Sequence, residues 1–430
     1  MLDNVRVILP KKYDLVVGDT FQLFYRGVIE APNPFVFDIA PHCAKGKAFP
    51  RYFEFTPESP GRYDLTIDVC GPDKTVLGQG KTVLNVVEAK LPAKPVNILC
   101  VGDSLTESGT WINEVNRRLS EKGGSPEGLG FENKFNFVGN CKVDKVGFEA
   151  FGGWAWECFA THRRSNIWIN CNHDKDKTDQ HSIWLDENGA AWRLETIEDD
   201  RLKFTRHLLH AADRPDFGKL THKEGATHTA PIEIISAKNE ASNPFVNPET
   251  EELDFNYYTK KVGIEKIDAA YFLLGANGWQ FWNTEGFAPC IEKFLGYGKK
   301  IVRKLKIAFP DIKVKVFMAP LSSQHGGMGT NYGAILPWGD TYLCHLFVDE
   351  LNIAYENWAN EEEFSGFLEA INIAGQFDSD HGYPFVQKPV NTRSATTERF
   401  DINGAHPTNE GYMQIADAVY RNVVASFCKE

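Results

Sequence analysis

Apolar and polar positions alternate in short runs over the first 88 residues, at Val5–Leu9, Thr20–Tyr25, Tyr52–Phe55, Tyr63–Val69 and Thr82–Val87. Gly, Pro and Asp turns separate them, which predicts an N-terminal β-sandwich over 1–88. Residues 89–95 carry two prolines and read as a linker. From Val96 the rhythm changes. Val96, Ile98, Leu99, Cys100 and Val101 predict a buried parallel strand. An amphipathic helix around Trp111–Leu119, a strand at Phe135–Val138 and a turn at Gly139-Asn140 follow. Ile267–Leu274, Ile312–Met318 and Phe367–Ile373 read as strands, and Cys290–Phe309 and Tyr342–Asn360 as helices. Tyr412, Ile415, Ala416, Val419 and Val423 form one stripe of a closing helix. Strands interleaved with such helices imply a parallel sheet covered on both faces, here an α/β domain over 96–430. Between about His162 and Ala241 hairpin signals return, so 163–241 is expected to be an inserted β-rich subdomain.

The strand from Val96 ends in Gly102-Asp103-Ser104-Leu105, at the sheet edge where α/β proteins collect ligands and catalytic groups. A serine there can present its hydroxyl to a cleft while its own N–H faces the same space. Three later segments hold residue types that would complete such a site: Phe148-Glu149-Ala150-Phe151-Gly152-Gly153-Trp154, Leu274-Gly275-Ala276-Asn277, and Asn403-Gly404-Ala405-His406-Pro407 with Glu410-Gly411-Tyr412 after it.

In these four blocks the chain resembles the SGNH (GDSL) hydrolase superfamily, over about 96–162 and 242–430. The resemblance implies a flavodoxin-like three-layer α/β/α fold and a serine esterase. By this likeness Ser104 is the nucleophile and His406 the base, and the oxyanion hole comes from the Ser104 and Gly153 N–H groups and the Asn277 amide. A serine hydroxyl needs a base within hydrogen-bond reach, and a tetrahedral oxyanion needs preorganised donors. Two positions depart from the family pattern. Gly278 stands where an Asp is usual. Asn403 stands three residues before the histidine, where the family has its acid. The amide of Asn403 can hold an imidazole tautomer through its carbonyl but cannot stabilise the imidazolium as a carboxylate does. The expectation is a Ser–His dyad with Asp401 or a main-chain carbonyl orienting His406, and the choice among Asp401, Asn403 and a backbone carbonyl stays open. Asp103 is expected to bond nearby loop N–H groups.

Composition narrows the rest. The chain has 430 residues, 42% hydrophobic and 24% charged, with a net charge of −12. That charge argues against nucleic acid and anionic membrane surfaces as partners. Nine unpatterned cysteines fit a reducing compartment, with Cys43 and Cys70 the one pairing to consider. No apolar signal core is seen, so the chain is expected in the cytoplasm as the sequence stands, or outside the cell if a leader is removed. Trp154 and Trp156, and Trp279 and Trp282, flank two of the blocks and are candidates for substrate binding. Their indole faces suit a sugar ring. The loop Ser322–Gly327 follows a strand end and is a further candidate for the cleft. Asp378, Asp380 and His381 lack metal-ligand spacing, so no metal and no cofactor are expected.

Family likeness alone does not choose the ester. The flanking aromatics, the absence of a lipase-like apolar lid and the added β domains favour O-acetyl groups of a carbohydrate. The other readings are a lipid or acyl-thioester hydrolase, and a glycan-binding or phage-tail-like interaction protein with a weak site. The sequence leaves the oligomeric state open.

Overall fold

The computed structural model describes residues 5–161, 166–171, 179–187, 189, 191–198, 201–206, 218–227, 229–240, 243–247, 250, 252–278, 286–334 and 336–429. They fall into two compact units, 1–155 with 264–430, and 156–263.

The first unit begins with two β-sheets. Lys12–Val16, Val76–Val87, Gly61–Cys70 and Asp38–Cys43 lie side by side in that order; Phe21–Phe24, Tyr52–Phe55 and Lys47–Ala48 form the second sheet. Alternate residues turn inward, so Leu15, Leu65, Ile67 and Leu84 of one sheet meet Phe21, Leu23 and Phe53 of the other in a shared core. The expected strand Val5–Leu9 is reduced to a single bridge between Val7 and Ile29. Lys12–Val16 takes the edge instead, parallel to Val76–Val87. Cys43 pairs with Leu65 and Cys70 with Asp38, at opposite ends of one strand pair, and both thiols are free.

The second half of this unit is the α/β layer. We label its strands β1 (Val96–Gly102), β2 (Phe135–Val138), β3 (Cys141–Val143), β4 (Val146–Ala150), β5 (Ala269–Leu273), β6 (Lys313–Met318) and β7 (Leu368–Asn372). Its helices are α1 (Ser104–Glu107), α2 (Thr110–Ser120), α3 (Ala288–Ala308), α4 (Thr341–Ala359) and α5 (Asn409–Phe427). β1 is central, with β5, β6 and β7 following in parallel on one side. On its other side β2 pairs with its first half and β4 with its end (Phe137 opposite Ile98, Glu149 opposite Val101). The chain leaves the edge between them at Gly139-Asn140, and β3 runs antiparallel to β4. The sheet is thus mixed at that edge rather than wholly parallel.

Ile98, Leu99, Cys100 and Val101 are all fully buried, which explains the unbroken apolar run. Ile98 and Cys100 share a core with Trp111, Ile112 and Val115 of α2 and Ile415, Val419 and Val423 of α5. Leu99 and Val101 have the opposite parity and face the other side. Connections from β1 lead towards β2 and β4, and those from β5 lead to β6. The order reverses between β1 and β5, which makes their carboxyl ends a topological switch point.

The unit 156–263 contains a closed six-stranded barrel, 166–171, 201–206, 191–197, 183–185, 219–224 and 232–240. The expected hairpin insert is therefore a barrel without open edges, within a longer segment than 163–241. Trp184, Trp192, Leu194, Leu202, Phe204 and Leu220 fill it. The Trp192 indole N–H donates to Asp186 (3.0 Å). Among the described residues no helix is long and apolar enough to cross a membrane.

Arg118 ties α2 and α5 to the N-terminal sheets. It is 1% exposed, donates to Asp19 and Asp417 at 2.6 Å each, and lies 3.7 Å from the Tyr420 ring centroid. Removing one member of a buried ionic cluster leaves an uncompensated charge. Arg118→Ala is expected to lower the unfolding free energy by about 3–5 kcal/mol, measured by urea denaturation.

Candidate active site

Ser104 opens α1 directly after β1. Asp103 caps that helix, its carboxylate accepting from Leu105 N–H at 3.0 Å. This short turn lifts the serine out of the strand line. Neither the Ser104 N–H nor the Gly153 N–H has a hydrogen-bond partner among the described residues. Gly153 sits at φ 75°, a left-handed conformation that favours glycine. Both are backbone donors left available at the carboxyl edge of the sheet.

His406 lies before α5, on a loop anchored at both ends. Asn403 Oδ1 accepts from Ala405 N (3.1 Å) and His406 N (2.9 Å), closing an Asx turn. Asn331 Oδ1 accepts from Gly404 N at 2.8 Å, and Gly404 O accepts from Ser323 N at 3.0 Å. A Cβ on Gly404 would stand 2.0 Å from Gly327 O, so only glycine lets these loops touch. Thr408 then caps α5. The result is a contact of 2.9 Å between His406 Nε2 and Ser104 Oγ.

The other imidazole nitrogen, Nδ1, meets Asn403 Oδ1 at 3.3 Å. This fixes the neutral tautomer: Nδ1–H donates to the amide oxygen, and Nε2 accepts from the serine hydroxyl. Asp401 does not fill the role expected of it. Its carboxylate is buried and accepts from Arg399 Nε (2.7 Å) and from Ser323 Oγ. Arg399 and Asp401 share one side of the strand Thr397–Asp401, and their pairing turns the acid away from His406. Of the groups that the sequence leaves open for this role, Asn403 is the one that meets the histidine.

Asn277 Nδ2 donates to Asp103 Oδ2 at 2.9 Å, while Trp154 O lies 3.5 Å away. Asp103 thus orients the Asn277 amide as well as capping α1. Burial pushes its carboxyl up to about 7, despite the hydrogen bonds from Leu105 and Asn277 that favour the anion. Gly278 sits at φ 99°, and a Cβ there would stand 3.1 Å from the Phe294 ring and 3.3 Å from Ala155, so a side chain at this position is strained and crowded.

The tryptophans separate. The Trp154 ring lies 4.4 Å from that of Phe151, half-buried beside Gly153. Trp156 is fully buried and offers no face to a substrate, which corrects that expectation. Trp279 and Trp282 lie outside the described residues. An aromatic pair absent from the sequence reading stands near the His406 loop. Tyr332 follows Asn331, is 46% exposed, and its ring lies 5.1 Å from that of Trp338 at a tilt of 41°. Burial, and secondarily the Asp103 charge, raise the Tyr332 hydroxyl. Asp378 and Asp380 are held by Arg51, and Asp380 also by Arg26 at 2.9 Å. Among the described residues no group of three or more His, Cys, Asp or Glu is placed to hold a metal.

The sequence matches no known family profile and no curated protein. Among solved structures the chain is similar to a family 3 carbohydrate esterase from Clostridium thermocellum (11% identity, TM-score 0.37, covering 78% of this chain and 100% of that one). It is also similar to a carbohydrate esterase family 3 protein from Talaromyces cellulolyticus (12%, 0.36, 77% and 98%). A third is a carbohydrate acetylesterase from Sinorhizobium meliloti (12%, 0.35, 77% and 100%). These are properties of those proteins; the functional reading of this chain rests on its own residues.

Burial lowers the His406 imidazole below the usual 6.5, and the Glu107 charge acts weakly against that shift. Ester hydrolysis is therefore expected to fall off on the acid side with a midpoint below 6.5. Asn403→Asp would place an anion at Nδ1 and move that midpoint to higher pH. A kcat/KM–pH profile of both proteins checks this.

Proposed function

We propose that this protein is a serine esterase of the SGNH type that removes O-acetyl groups from a carbohydrate. The observation that carries the reading is the 2.9 Å contact of His406 Nε2 with Ser104 Oγ, together with the Ser104 and Gly153 backbone N–H groups, which have no partner among the described residues.

In this reading Ser104 Oγ attacks the ester carbonyl carbon as His406 Nε2 takes its proton. The carbonyl oxygen becomes an oxyanion and receives the Ser104 and Gly153 N–H groups and the second Asn277 amide hydrogen, which gives up its long 3.5 Å contact with Trp154 O. Collapse of the tetrahedral intermediate breaks the bond to the leaving alcohol, which takes the proton from His406. Water then repeats the sequence on the acetyl-serine, with His406 again as base, releasing acetate. Asn403 holds the imidazole in its reactive tautomer through a neutral oxygen. It orients the base but brings no countercharge to the imidazolium.

The exposed Tyr332 face with Trp338, and Trp154 beside Gly153, favour a sugar as the group carrying the acetyl ester. An alcohol with C–H faces stacks on such rings, and its hydroxyls remain in water.

Ser104→Ala is expected to abolish hydrolysis of p-nitrophenyl acetate, and Asn277→Ala to slow it by about 100- to 1000-fold. Wild-type enzyme is expected to prefer acetate over octanoate esters. Initial rates on this ester series check both expectations. Preference for octanoate would favour a lipid or acyl-thioester substrate, and the absence of any Ser104-dependent hydrolysis would leave an interaction protein.

A further inference from the structure

Ser104 stands at the carboxyl end of β1, and the opposite end of the sheet carries a cavity of about 520 Å³. It lies where β6 and β7 begin, between the edge strand Lys12–Val16 and the last turn of α5. Its size is that of a small-molecule site. The chain has a net charge of −12, yet six cations and only three acids line this cavity. Two of the acids are spent on neighbours. Lys12 donates to Asp14 and Glu369 at 2.6 Å each, and Lys315 also pairs with Glu369. The third acid, Glu356, accepts from the Lys11 backbone N–H at 3.2 Å, and burial raises its carboxyl. Arg62, Lys313 and Lys429 are left with no acidic partner among the described residues.

Lys313 is the fixed member of the three. It is half-buried, donates to Ser426 O at 2.5 Å and has its ammonium 4.6 Å from the Phe427 ring centroid. Burial, and then the like charges of Lys315 and Lys429, hold it below the usual lysine range. Positive charge is therefore gathered at this cavity without a counterion from the protein, and a cleft walled by protein focuses such a field. We propose that this cavity is a binding site for a multivalent oxyanion of the phosphate class, separate from the site at Ser104. Three unmatched positive charges suit a group with two or more negative charges better than a single carboxylate. Each phosphate oxygen can accept an ammonium or guanidinium N–H, and such charge-assisted bonds are the strong ones. The inference does not depend on the esterase reading.

Calorimetric titration of the intact protein with pyrophosphate, at constant ionic strength so that screening does not vary, tests the site. Saturable binding at one site per chain is expected. Lys313→Gln weakens it by about fivefold, and Arg62→Gln or Lys429→Gln by a similar factor. The Arg62 and Lys429 side chains are exposed, so these two variants keep the fold. Ser104→Ala and Lys122→Gln, which lie outside the cavity, bind as wild type does. Glucose 6-phosphate binding more tightly than inorganic phosphate would support an organic phosphate ester as the ligand; the reverse order would support the free ion. The absence of saturation up to about 10 mM pyrophosphate overturns the proposal. So does unchanged affinity in all three cavity variants, an equal loss in Lys122→Gln, or a loss in Ser104→Ala. Citrate binding as tightly as pyrophosphate would overturn the phosphate assignment.

Discussion

Ser104 and His406 are 302 residues apart in sequence and 2.9 Å apart in space, and no local feature of either segment can bring them together. Ser104 is fixed by β1, whose residues Ile98 to Val101 are wholly buried in the centre of the sheet. His406 is fixed by α5, whose stripe Ile415, Val419 and Val423 packs into the same core as Ile98 and Cys100. One hydrophobic core therefore sets the distance between Ser104 and His406. The loop closures at Asn403, Gly404 and Thr408 only refine it. A site supported in this way keeps its geometry before substrate arrives, which is the condition for preorganised catalysis.

The polar layer around that contact has a division of labour. Asp103 joins the α1 cap to the Asn277 amide, so one buried carboxyl positions both the helix that Ser104 opens and the Asn277 side chain. Asn403 holds three N–H groups through one oxygen: two of the backbone and one of the imidazole. Asp401 carries no proton for the base; with Arg399 and Ser323 it braces the loop from behind. Asn403 is half-buried, and its amide holds the imidazole without adding an anion there.

Much of the α/β layer was legible because its signals are local. The run Val96–Val101, the GDSL turn and the stripe of α5 each declare their element within a few residues. The barrel was legible only as hairpins, because closure depends on pairing between residues 166–171 and 232–240, far apart in the chain. Lys12–Val16 escaped notice because its inward Tyr13 and Leu15 alternate with Lys12 and Asp14, and those polar side chains are held by ion pairs. Of the site, Ser104, Gly153, Asn277 and His406 could be read from residue type and order. The partner of His406 could not, since the choice between Asn403 and Asp401 turns on which way a strand-end side chain points. The burial of Trp156 was likewise invisible, because an indole beside a functional block reads the same whether it faces a cleft or a core.

The central claim is that Ser104 is a nucleophile activated by His406. It is tested most directly by mass spectrometry of the intact protein quenched during turnover of p-nitrophenyl acetate. The account predicts a mass increase of one acetyl group, located on the peptide containing Ser104 and absent from Ser104→Ala and His406→Ala. Hydrolysis that proceeds without any acetyl adduct on Ser104, or that survives in Ser104→Ala, would contradict it.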